Sequence, residues 1–323
     1  MALSACPIDV VVSEVGPRDG LQSIGRIMPT AAKITLIKGL AAAGLREIEV
    51  GSFVSPRLLP QMADAGDVVA AVVNLPDTSI LALVPNLKGA ERAFQAGVHT
   101  VTMPVSASHR HAMANINMTP EQAVAEVALV CRLRDALPAD HLPGRGRPRV
   151  EAGISTAFGC TMEGAVPEDR VMELATRLAR AGADVVNLSD TTGMGDPAQV
   201  RRTFRRLRRE LGAAAGGAHL HNTRGQGLAN VVAALDAGVT TFDSSLGGLG
   251  GCPYAPGASG NIVTEDLVFL LEAMGLRTGI CIDQLVAARA LLLAGLPGES
   301  LYGHIADAGL PRGFVPASAR GTT

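Results

Sequence analysis

The chain has 323 residues, 47% of them hydrophobic, and a formal net charge of −2. That length and apolar content suffice for a large buried core, while the near-neutral charge gives no electrostatic reason to expect nucleic acid or an anionic membrane as partner. Trp is absent and aromatic residues make up only 3%, which argues against base-stacking platforms.

MALSACPIDVVVSEV at the start lacks a basic stretch ahead of its apolar one, so it reads as the approach to a strand and not as a secretory signal. No apolar run reaches the roughly 18 residues a membrane helix needs. The five cysteines are scattered and odd in number, which fits a reduced, cytoplasmic setting.

Short apolar or β-branched runs alternate with helix-like segments along the whole chain. Strands are predicted at 11–15, 47–51, 80–84, 100–104, 150–155, 185–188, 218–221 and 241–244. Residues 30–43 carry Ile34, Ile37, Leu40 and Ala41 at helical spacing. Thr119-Pro120-Glu121-Gln122 reads as an N-cap, a first-turn proline and a capping-box partner. Pro167 and Pro197 open two later helices, and Gly182, Gly238 and Gly275 follow helix ends. Eight β-then-α units predict an α/β fold, a (β/α)8 TIM barrel, with a doubly wound open sheet as the alternative. No linker divides the chain. Residues 1–295 are expected to form one catalytic barrel and 296–323 a short C-terminal tail, disordered from 317.

In such a barrel the chemistry sits at the C-terminal ends of the strands. Arg18 and Asp19 follow strand one, Glu49 and Ser52 lie on or after strand two, and Asn86 follows strand three. Asp190 follows strand six, His219 and His221 lie on strand seven, and Asn261 follows strand eight. Alternate strand residues share a face, so His219 and His221 aim at one point. With Asp19 and Asn261 they would make a divalent metal site. Its carboxylate, amide and imidazole donors favour Mg²⁺ or Mn²⁺ over structural zinc. Each residue also has a plainer reading: a hydrogen-bonded core histidine, a turn aspartate before Gly20, a loop-capping Asp190, a cap at Asn261. The loop 247–261 is either a connector with a buried thiol or a mobile lid carrying Cys252. The arginine-rich run 201–210, with Phe204, Leu207 and Leu211 as its stripe, reads as a solvated outer helix.

EVGPRDGLQ (14–22), EVGSFVSPRLLPQMAD (49–64), VPNLKG (84–89) and SSLGGLGGCPYAPGASGNIVTEDLV (244–268) resemble the hydroxymethylglutaryl-CoA lyase family over about residues 10–280. The resemblance implies a metal-assisted retro-Claisen cleavage of 3-hydroxy-3-methylglutaryl-CoA to acetyl-CoA and acetoacetate. It implies Asp19, His219, His221 and Asn261 as metal ligands, Arg18 as the stabiliser of the departing enolate, and Cys252 as the acid for the new carbanion. Glu49 and Asp190 become supporting residues; Gln22, Ser52, Asn86 and Arg224 join Arg18 as candidate contacts to the acyl-CoA thioester. Asp19, His219 and Asp190 all stay open as the general base. A homodimer is expected, since barrels of this kind often pair.

Three departures from that family touch the substrate surroundings. Gly153 stands where a tyrosine is usual; HNTRGQ, with Asn222 and Arg224, replaces a pattern like HDTYGQ; and 106–120 is unlike the familiar loop. Arg224 could meet a substrate carboxylate or point to solvent. Cleavage of a related thioester, such as citramalyl-CoA or a longer-branched hydroxyglutaryl-CoA, is therefore the second expectation. A metallohydrolase is less favoured because HxH comes late and few histidines remain. A non-catalytic acyl-CoA-binding protein is less favoured because every residue the chemistry needs is present.

Overall fold

The computed structural model describes residues 7–250 and 260–320. Eight parallel strands close into a barrel in chain order: β1 (Val11–Glu14), β2 (Glu47–Ser52), β3 (Ser79–Leu83), β4 (Thr100–Ser106), β5 (Arg149–Ser155), β6 (Val185–Asp190), β7 (Ala215–Leu220) and β8 (Thr241–Ser244). β1 pairs with both β2 and β8, Val11 opposite Thr241 and Ser13 opposite Glu47, so the sheet has no edge. The (β/α)8 barrel is thus the architecture, and the open sheet is excluded.

Helices wrap the barrel: α1 (Thr30–Ala42), α2 (Ala65–Val72), α3 (Leu87–Gln95), α4 (His109–Ile116), α5 (Pro120–Ala136), α6 (Glu168–Arg180), α7 (Pro197–Leu211), α8 (Gly227–Leu235), α9 (Thr264–Ala273), α10 (Ile282–Gly295) and the short α11 (Ile305–Ala308). The capping box at α5 forms: Gln122 N donates to Thr119 Oγ1 at 3.2 Å, and Thr119 N donates to Gln122 Oε1 at 2.8 Å. α7 buries Val200, Thr203, Phe204 and Leu207, while its arginines pair outward with Glu168, Asp169, Glu210 and Asp236. That is the solvated outer face the sequence suggests. α10 lies against α1, where a Cβ on Gly39 would meet Leu291 Cδ1 at 2.5 Å, so a larger residue there would require the Leu291 side chain to shift.

The expected disorder from 317 is corrected for residues 317–320. Ala317–Ala319 forms a 3₁₀ turn, Ala317 is buried, and Ser318 N donates to Glu272 Oε2 at 2.7 Å. Further back, Tyr302 N donates to Gly247 O at 2.8 Å and His304 N to Asp266 Oδ1 at 2.9 Å. Backbone groups tied to buried acceptors, Glu272 above all, hold this segment onto the α9 side of the barrel. Its Gly and Pro content hides that from the sequence.

Candidate active site

The link after β1, Gly16–Gly20, is a single π-type turn in which Asp19 N donates to Val15 O at 2.7 Å. Such turns displace side chains from ordinary helical spacing and recur at functional sites. Here the turn carries Arg18 and Asp19 into the mouth. It is anchored by Glu14, whose Oε1 accepts from Gly16 N at 2.8 Å and Leu246 N at 2.9 Å, and whose Oε2 accepts from the Thr264 hydroxyl at 2.7 Å. One buried carboxylate thus ties the first turn to the segments around β8. Burial pushes Glu14 up to about 7.

β7 ends at Leu220, one residue earlier than the sequence suggests. His221 sits in an isolated antiparallel bridge with Asn261. Residues 260–263 run back across the barrel top: Asn222 N donates to Gly260 O at 3.1 Å, Ile262 N to Leu220 O at 3.1 Å, and Ser245 N to Ile262 O at 3.0 Å. Gly250 (φ 99°) and Gly260 (φ 88°) lie in contact, since a Cβ on Gly260 would lie 1.9 Å from Gly250 O. This return path delivers Asn261 to the histidines.

Four residues meet there. His219 Nε2 and His221 Nε2 are 3.1 Å apart, and the donor atoms of Asp19, His219 and His221 all lie within 4.8 Å of one another. Asn261 Nδ2 donates to Asp19 Oδ2 at 2.7 Å and to Leu249 O at 3.2 Å, and its buried Oδ1 has no hydrogen-bond partner among the described residues. Arg18 stands beside them. Its Nη1 donates to Asp19 Oδ1 at 2.7 Å and its Nε to Glu49 Oε2 at 2.5 Å; Glu49 Oε1 accepts from the Thr102 hydroxyl.

The charges suit a cation. Burial alone would raise Asp19, but Arg18 first, then His219 and His221, hold its carboxyl below the usual range. Burial and the neighbouring His219 push His221 down to about 4, so it is neutral at pH 7. Metal ligation requires both states, an ionised carboxylate and a neutral imidazole. Together with the orphaned Asn261 oxygen they fit a divalent ion. Arg18 stays protonated because Glu49 and Asp19 outweigh its burial.

The other expected residues separate. Gln22 Nε2 donates to Asp19 Oδ1 at 3.1 Å and belongs to the cluster. Ser52 is buried at the end of β2, and its hydroxyl has no partner among the described residues. Asn86 caps α3, accepting from Gly89 N at 3.0 Å. Asp190 spends both oxygens on Met194 N (2.9 Å) and Gly195 N (3.1 Å). Arg224 donates to the carbonyls of Thr192 and Gly193, each at 2.9 Å, bracing the loop after β6. Asn222 caps α8 through Gly227 N at 2.9 Å. Cys252 lies outside the described residues. Asp243 on β8 was missed: its Oδ2 lies 3.0 Å from His219 Nδ1. The position reads as an ordinary strand residue, and only the β7–β8 register, His219 opposite Asp243, exposes the pair.

The sequence profile of the family described as HMGL-like matches residues 9–292. The hydroxymethylglutaryl-CoA lyase of Pseudomonas mevalonii is 42% identical over 274 residues, covering 85% of this chain and 88% of its own. The mitochondrial hydroxymethylglutaryl-CoA lyase of Gallus gallus is 40% identical over 282 residues, covering 87% and 92%. Among solved structures, an HMG-CoA lyase from Acinetobacter baumannii in complex with coenzyme A and 3-methylmalate superposes with a TM-score of 0.86 at 40% identity, over 95% of this chain and 97% of that one.

Proposed function

The chain belongs to the HMGL-like family, and on that premise we propose that it is a divalent-metal-dependent carbon–carbon lyase cleaving 3-hydroxy-3-methylglutaryl-CoA to acetyl-CoA and acetoacetate. The observation that carries this reading is the convergence of Asp19, His219 and His221 beside a buried, ion-paired Arg18. Asp19, His219, His221 and Asn261 would hold the cation, Mg²⁺ or Mn²⁺ by donor type. When bound, the cation supplies Lewis acidity that lowers the pKa of an alcohol at that position.

The residues then divide the work. Cleavage of the C2–C3 bond takes the proton from the C3 hydroxyl and leaves negative charge on the thioester oxygen. Arg18 offers a permanent positive donor for that oxygen, and Glu49 fixes its orientation before the charge develops. The hydroxyl proton leaves toward the Asp19 carboxylate, with His219 held as a ligand beside it; Asp190, with both oxygens engaged, acts through the loop it braces. Cys252 is the acid that protonates the new carbanion. Gln22 steadies Asp19, Ser52 and Arg18 meet the thioester, and Asn86 and Arg224 shape the adjoining loops. Residues 1–295 form the catalytic unit with 296–323 as its extension, and a cytoplasmic homodimer is the expected setting. The test is acetyl-CoA release from the metal-loaded protein. Failure to cleave this or any related 3-hydroxyacyl thioester, with Mg²⁺ or Mn²⁺ bound, sinks the reading.

A second reading has its own observation. Gly153 on β5 pairs with Pro104 on β4 and Asn187 on β6, and a Cβ placed on it would meet nothing within 4 Å among the described residues. Its neighbour two residues back, Glu151, shares the barrel interior with Glu49 and Asp243. The same strand alternation turns Gly153 inward. Open space there favours turnover of an acyl group longer-branched than methylglutaryl as well.

A further inference from the structure

We propose that Asp243 is a positioning residue for the cation, setting metal affinity through His219 without being a ligand itself. The inference rests on the metal reading above.

His219 and His221 present their Nε2 atoms to each other at 3.1 Å. For His219 to offer a lone pair there, its proton must sit on Nδ1. Asp243 Oδ2 lies 3.0 Å from that Nδ1 and can accept its hydrogen. An acceptor-only carboxylate at this distance selects the Nδ1–H tautomer, orients the ring, and makes Nε2 a better donor to a cation. The pairing is built into the sheet, because His219 and Asp243 are register partners on adjacent strands. It is also sheltered: the two side chains are 13% and 27% exposed.

Asp243 has a second consequence. Its charge acts on Arg18, raising the guanidinium's hold on its proton, and on Glu47, Glu49 and Glu151, whose carboxyls it pushes upward. Removing it therefore alters both a hydrogen bond and a field, and the test must separate the two. Asp243→Asn deletes the charge but keeps an acceptor for Nδ1–H; Asp243→Ala deletes both.

The experiment titrates Mn²⁺ into metal-stripped wild type and the two variants by calorimetry. Melting temperatures of the stripped proteins show that each is folded, and the ¹⁵N shifts of His219 report its tautomer. The expected result is a roughly 10- to 100-fold loss of Mn²⁺ affinity for Asp243→Ala, a smaller loss for Asp243→Asn, and mixed tautomers at His219 only in the alanine variant. Equal losses in both folded variants, or an alanine variant that binds within twofold of wild type, would overturn the positioning role. Wild type that binds no Mn²⁺ while cleaving thioester would overturn the metal reading and this proposal with it. Wild type that binds Mn²⁺ but cleaves nothing sinks only the lyase reading.

Discussion

Arg18 and Glu49 form a two-point ion pair, with Nε and Nη2 each 2.5 Å from Glu49 Oε2. The pair fixes the plane of the guanidinium before substrate arrives. Arg18→Met is expected to lower kcat/KM on the order of 10²- to 10³-fold, the scale of a lost oxyanion donor, while Mn²⁺ affinity in calorimetry changes little. A parallel collapse of metal binding would show that Arg18 serves Asp19 and not the substrate. Arg18→Lys should rescue only part of the loss, because an ammonium cannot reproduce the fork.

Chelation should abolish turnover, and Mg²⁺ or Mn²⁺ should restore it. Asn261→Ala removes the buried Oδ1 that has no partner among the described residues. Metal affinity is expected to fall at least tenfold with the fold intact, read as Mn²⁺ binding beside a circular-dichroism melt. Unchanged affinity would make Asn261 only the clamp between Asp19 and Leu249 that its Nδ2 contacts describe.

Glu14 gives a pH dependence of stability. Its carboxyl rises from 4.5 to about 7 on folding because burial outweighs the donors from Thr264, Leu246 and Gly16. A raised folded value favours the protonated form, so this contribution is whole below 4.5 and disappears as pH climbs through about 7. At about 1.4 kcal/mol per unit it amounts to about 3 kcal/mol. Glu14→Gln should flatten the fall in unfolding free energy between pH 5 and 8. A variant whose pH profile parallels wild type would remove Glu14 as the source.

Gly153→Leu fills the open position on β5. It is expected to reduce turnover of 3-hydroxy-3-alkylglutaryl thioesters with long branches at least tenfold more than that of the methyl substrate, measured as the ratio of kcat/KM values. Equal losses for both would place the space away from the acyl group.

Gly260→Ala puts a side chain at φ 88°, with its Cβ 1.9 Å from Gly250 O. The segment must move, and Asn261 moves with it. Metal affinity should drop together with about 1–3 kcal/mol of stability, as for other strained left-handed positions. Gly144→Ala, also at positive φ but with nothing within 4 Å, should cost stability alone.

The strand count, the HxH pair and the residues after β1 were legible because each leaves a local trace: short apolar or β-branched runs, a repeated His, a GPRDG turn. What the sequence hid lies between strands. Asp243 acquires its role only from the register of β7 with β8. Arg224 also carries a structural task that its position in the sequence does not announce: its Nη1 donates to the carbonyls of Thr192 and Gly193. Asn86 and Asn222 proved to be caps, a plainer role that the same residue type serves equally well. The extension past 296 looked loose by composition, yet Glu272 and Asp266 hold it through backbone hydrogens that no side-chain pattern advertises.

Asp19 and Asn261 are joined across a sequence separation of 242 residues. An ion bound by both would act as a removable cross-link, closing 242 of the 323 residues into one ring at the seam where β1 meets β8. Long rings are the ones whose closure removes the most unfolded-state freedom, so loading the site should stabilise the barrel at the joint between its first and last strands. A nascent chain that has not yet made β8 therefore has no binding site, and competence for chemistry arrives in the same step that completes the barrel.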